Sequence, residues 1–225
     1  MLWLVQAAVL AFGVPFIFSH LFKLPLDAYF VILGILSIAF FWYYASSTDF
    51  KWAESLKPGW ALGIILGIFF GLAFISNSAA SDSSKGLAQA MSFPVISRGV
   101  IYGLTSAILL TITPFVVVWR AFAGAAPGSF RKLAVTIVAV ISIASISILY
   151  NLGLGGFDNN NLNNNVKMNM IASIPTLISG NPLAGPISNV FLQVSQNAMA
   201  QNEKVATAPR TIETAKSKTV TGGVN

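Results

Sequence analysis

The sequence contains no cysteine, a single histidine, and charged residues at only 9% of its 225 positions. The missing cysteine excludes disulfides, thiolate metal ligands and cysteine nucleophiles, while leaving the redox compartment open. His20 has no second imidazole or thiolate to share a metal with, so it reads as an interfacial polar residue, and no metal or cofactor is expected. The carboxylates are Asp27, Asp49, Glu54, Asp82, Asp158, Glu203 and Glu213, and each falls in a turn, loop or tail between apolar runs. A proton-driven carrier, or an intramembrane aspartyl or metal protease, needs such a group at membrane depth. With none there, and with no base for Ser142, Ser145 or Ser147, no catalytic residue is assigned. The scarcity of charge also removes the surface a soluble domain presents to water, where roughly 25% charged residues is usual. The net charge of +6 is scattered through short loops and the tail without a concentrated basic face, which argues against nucleic acid as a partner.

What the chain has instead is hydrophobic residues, at 55%. Lipid is their expected solvent, and a span needs ~20 apolar residues. Residues 1–21 form a first helix, apolar nearly from its start and without the basic region of a cleavable signal peptide; Pro15 should kink it. Further spans are expected at 28–45, 58–76, 98–119, where Pro114 should bend the helix, and 133–150. The Asn- and Gly-rich stretch 153–166 reads as an exposed loop. A sixth apolar segment, 170–200, is interrupted by Pro175, Gly180, Pro182, Gly185 and Pro186 and reads as two half-helices around Ser179–Pro186. The expectation is an all-α polytopic transmembrane bundle of about six spans, the last one broken. One membrane domain covers 1–200, and a flexible polar tail covers 201–225.

Gly59, Gly63, Gly67 and Gly71 recur every fourth residue. On a helix that spacing makes a side-chain-free stripe along which a second helix can approach, and in lipid such close packing drives association. The stripe is expected to be the packing seam of the bundle. With six crossings one side receives Lys51, Lys57, Arg120, Arg131, Lys132, Lys204, Arg210, Lys216 and Lys218, the other Lys23, Lys85, Arg98 and Lys167. Nine against four places both termini in the cytoplasm of a cell-membrane protein; removing the last span reverses the count to five against eight.

Arg98 precedes the fourth span, where it either snorkels to headgroups or faces the bundle interior. Arg98-Gly99, with Tyr102-Gly103 behind them, resembles the arginine-glycine end of the EExxxRG motif of the CAAX-protease and bacteriocin-processing family of intramembrane proteases. Ser147-Ile-Leu-Tyr-Asn151 is similar to that family's FxxxH, and Asn189-Val-Phe-Leu-Gln193 to its HxxxN. Phe93 and Pro94 stand where the resemblance calls for glutamates, and Asn151, Asn189 and Gln193 where it calls for histidines and a terminal asparagine. The resemblance, over residues 92–193, implies a non-catalytic relative. A binding site is expected from Arg98, Tyr102, Asn151, Asn181, Asn189 and Gln193, serving a partner protein, an oligomer contact or a lipid in the bilayer. A small-solute transporter or channel subunit is the alternative, motivated by the broken segment.

Overall fold

In the computed structural model the described residues are 2–81, 92–122, 129–155 and 159–207. Among them the chain is all-helical, without a strand. Residues 82–91, 123–128 and 156–158, Asp82 and Asp158 among them, and the part of the expected tail beyond Thr207 lie outside the described residues. The helices are α1 (Leu2–Leu21), α2 (Leu26–Ser47), a short α3 (Trp52–Leu56), α4 (Trp60–Ser81) and α5 (Phe93–Ala121), followed by α6 (Ser129–Gly153), α7 (Asn159–Ser179) and α8 (Ala184–Thr207). Five of these, α1, α2, α4, α5 and α6, are long and apolar enough to cross a membrane. Their outward faces carry exposed Val5, Ile35, Ile65, Phe69 and Ile141, apolar side chains suited to lipid.

Contacts define the two ends of the bundle. At one, Trp3 lies edge-on to Tyr44 at 5.2 Å, Arg120 approaches Thr48, and Asn181 reaches Leu56 and Pro58. At the other, Arg98 pairs with Asp27 and Gly155 lies beside His20. The helices alternate between these ends, so α7 and α8 form an antiparallel hairpin. The hairpin turns at Gly180–Leu183 between helices of 21 and 24 residues. α8 therefore runs toward the Asp27 end.

The centre of the bundle is α8, held between two glycine faces. A Cβ at Gly67 would lie 2.8 Å from the Ala184 carbonyl oxygen, and one at Gly71 would meet the Phe191 ring at 2.5 Å. From the other side, a Cβ at Gly103 would meet Val190 Cα at 2.5 Å, while Gly99 faces Val194. Backbones approach this closely only where side chains are missing. Gly63 and the two glycines after it lie against α8 as a seam, whereas Gly59 sits in the turn before α4, at φ +64°, against the Ser179 carbonyl. The seam was legible, but its occupant is the least apolar half of the expected sixth span.

At two of the prolines the helical turn widens. Pro114 has no N–H for the carbonyl four residues back, and the preceding turn, Ile108–Ile112, opens to a π-helix. Thr113 Oγ1 donates to the Ile108 carbonyl at 2.7 Å, which also accepts the Thr113 backbone N–H across the widened turn. Pro15 likewise opens a π-helical stretch, Pro15–Leu21. Two polar segments are more ordered than composition suggested. Part of the Asn-rich stretch is the first two turns of α7, and α8 continues past Gln201 to Thr207. Asn costs ~0.5 kcal/mol relative to Ala in a helix, a penalty small enough for packing of α7 on α4, α6 and α8 to outweigh.

Candidate functional site

The Asp27 end holds a half-open vestibule of about 300 Å³ between α2, α5, α6, α7 and α8. Six carboxamides line it: Asn151, Asn165, Asn169, Gln193, Gln196 and Asn197. Tyr102, Tyr150 and Ser106 add hydroxyls, and Phe30 and Leu110 supply apolar wall. Among the described residues its lining has no carboxylate, imidazole or cation. Helical spacing produces the cluster. Asn165 and Asn169 are one turn apart on α7, and Gln193, Gln196 and Asn197 follow at i, i+3 and i+4 on α8, so each set projects from one face.

Tyr102 forms part of the wall. Its ring stacks on Phe30 at 3.8 Å and 14°, and its hydroxyl donates to Asp27 Oδ1. Arg98 Nη2 donates to the other Asp27 oxygen at 3.0 Å. Arg98 and Asp27 are both more than half exposed, so the pair sits at the rim and leaves Arg98 neutralised. The sequence offered Arg98 either to headgroups or to the interior; its partner is a carboxylate 71 residues away.

The remaining expected site residues divide between the two ends. Asn151 and Gln193 line the vestibule beside Tyr102. Asn189 is buried one turn deeper on α8, where Nδ2 donates to the Gly103 carbonyl at 3.1 Å and to Ser106 Oγ at 2.9 Å. It ties α8 to α5 behind the vestibule wall. Asn181 is far from this group. Its Nδ2 donates to the carbonyls of Leu56 and Pro58, both at 2.8 Å, and its Oδ1 accepts from Leu183 N at 3.0 Å. Those bonds shape the α7–α8 turn and fasten it to the start of α4, so Asn181 belongs to the scaffold. Gly180, at φ +67°, supplies the left-handed residue that ends α7.

Sequence reasoning missed Asp27, Asn165, Asn169, Gln196 and Asn197. The i, i+3, i+4 spacing of amides on either side of the Gly180–Leu183 turn was the available signal. Two amide atoms in this region, Asn197 Nδ2 and Asn189 Oδ1, are buried without a hydrogen-bond partner, each costing about 1–3 kcal/mol if nothing offsets it. Asn197 is on the vestibule wall. Among the described residues no group of three or more His, Cys, Asp or Glu side chains is placed to hold a metal. No protein-family model matches this chain, and no curated protein or solved structure shows significant similarity to it.

Proposed function

We propose that this chain is a non-enzymatic integral membrane protein with a binding or assembly role, whose vestibule receives an uncharged, hydrogen-bonding segment of a membrane partner. The observation that carries the reading is the lining: among the described residues, six carboxamides and no ionisable acid or base except tyrosine. A carboxamide presents a donor pair and an acceptor together, the same complement as a peptide bond. Such a wall matches the backbone of an extended or unwound segment, and general acid–base chemistry finds little purchase in it. The resemblance to the CAAX-protease family supports the same reading, because the positions compared with that family's catalytic residues here carry Asn151, Asn189 and Gln193. A degenerate core of that type keeps a substrate-sized recess without its water-activating groups. The transporter alternative draws less support, since the interrupted segment turns beside Leu56 and Pro58 at one end of the bundle.

Site-specific photo-crosslinking in native membranes tests this. A benzophenone side chain in place of Gln193 is expected to capture a discrete membrane polypeptide, and Asn165→Leu with Asn169→Leu to abolish that adduct. The same probe at Phe69, on the lipid-facing side of α4, should give no such adduct. Equal labelling at both positions, or adducts with lipid alone at Gln193, would overturn the proposal.

A further inference from the structure

A second concavity opens on the side of the bundle. Between α2 and the start of α8 the bundle leaves α5 uncovered, forming a lateral groove of about 560 Å³ walled by Ile38, Trp42, Leu104, Ile108 and Leu183. Its α5 wall is a stripe: Ile101, Leu104, Thr105, Ile108 and Ile112 follow at helical i+3 and i+4 steps. Phe115 and Trp119 extend the stripe into a smaller cavity of about 220 Å³ beneath the α2–α4 connection, bounded by Glu54, Ser55, Pro58 and Pro182. A third recess, beside Trp119, adds Asp49, Lys51 and Arg120. One face of α5 thus leads from mid-bundle to a charged roof.

That roof carries both signs. Arg120 is fixed by the Phe50 ring at 5.7 Å and by Thr48 Oγ1 at 3.4 Å, and has no carboxylate within ion-pair distance among the described residues. Its neighbour Glu54 holds Lys51 at 3.3 Å in an exposed pair. A cation with no carboxylate partner among the described residues, next to an acid–base pair and at the end of the α5 stripe, matches an amphiphile with a phosphate and an ammonium group.

From these observations we infer that the groove is a phospholipid site, with an acyl chain along the α5 stripe, the phosphate at Arg120 and a primary-amine headgroup toward Glu54. The dimensions agree. Leu104 to Phe115 is eleven residues, a rise of ~16 Å, about one leaflet of a ~30 Å hydrocarbon core, and Arg120 lies five residues further, ~7.5 Å, a span left for the glycerol and phosphate. A partner helix ~10 Å across lying along this stripe would meet the α2–α4 connection, which obstructs its exit at the Trp119 end. An acyl chain is thinner and ends below the roof.

Native mass spectrometry of the full chain, released from nanodiscs of mixed phosphatidylethanolamine, phosphatidylcholine and phosphatidylglycerol, reads the site directly. The wild type is expected to keep one phosphatidylethanolamine in preference to the other two. Leu104→Trp, which fills the groove from a half-exposed position, should remove that bound lipid whatever its headgroup. Arg120→Gln should lower its retention by about tenfold, the loss of one charge-assisted phosphate contact. Ile108→Trp, one turn along the same stripe, repeats the block if Leu104→Trp fails to fold. Retention unchanged in Arg120→Gln and in the folded groove variants would overturn the assignment. So would a co-migrating peptide or second chain that the groove variants displace, because the groove would then be a protein interface.

Discussion

Replacing Gly103 by alanine tests the close approach of α5 and α8 with the smallest possible change. A methyl there would lie 2.5 Å from Val190 Cα, 2.8 Å from Val190 N and 3.0 Å from the Asn189 carbonyl oxygen. All three are backbone atoms, so no rotamer change relieves the overlap and the helices must separate. Overpacking of this kind costs about 1–3 kcal/mol. Separation also stretches the Asn189 bond to the Gly103 carbonyl, a further ~1 kcal/mol. Against this, alanine in a helix gains about 1 kcal/mol over glycine. The net is a loss of about 2 kcal/mol, or a fall of ~4–8 °C in Tm for a chain of this size. Gly13 on α1 is the matched control, because a Cβ there meets nothing within 4 Å. Gly13→Ala keeps only the propensity term and should raise Tm by ~2–4 °C. The assay is thermal unfolding in one detergent, followed by tryptophan fluorescence. If Gly103→Ala and Gly13→Ala shift Tm in the same direction, the packing of α5 on α8 is not as described.

Asn181→Ala should destabilise by about 3 kcal/mol, because it leaves two carbonyls and the turn of the hairpin without their donor, while photo-crosslinking at Gln193 survives in the folded fraction. Leu192→Ala should cost about 2–4 kcal/mol in the same unfolding assay, since Leu192 is 2% exposed and packs with Phe74 and Ala172 across three helices. Arg98→Ala should cost no more than about 1 kcal/mol, as both partners of its ion pair are more than half exposed; a larger loss would mean that the rim pair supports the fold.

The long apolar helices were legible because lipid demands continuous apolar length, and α1, α2, α4, α5 and α6 are all long and apolar enough to cross a membrane. The glycine stripe was legible for a related reason: a four-residue repeat of missing side chains has few uses besides close packing. What lay against it was not. α8 is shielded by α4, α5 and α7 and need not be apolar all round, so its amides made its second half resemble a tail. The same shielding hid α7, whose first residues, Asn159 to Asn165, read as a loop on composition alone. Of the site, Tyr102, Asn151 and Gln193 were found together because the family resemblance drew attention to their spacing, and they do line one vestibule. Asn181 was misplaced because a break in an apolar run looks alike whether it falls at mid-membrane or at a hairpin turn. The Asp27–Arg98 pairing, across 71 residues, left no periodic trace.

Both proposed sites depend on α8 lying against the glycine face of α4, and an introduced disulfide measures that contact directly. The chain has no cysteine of its own, so any engineered pair is the sole thiol pair present. A Cβ at Gly63 would lie 3.4 Å from the Ala184 Cβ, close to the 3.5–4.5 Å usual across a disulfide. Gly63→Cys with Ala184→Cys is predicted to form an intramolecular bridge under mild oxidation in native membranes, detected as two fragments held together after cleavage at an engineered protease site between α5 and α6. Phe69→Cys with Ala184→Cys, which places one thiol on the exposed face of α4, should not cross-link. Free fragments from the first pair, or equal cross-linking of both, would contradict the central place given to α8.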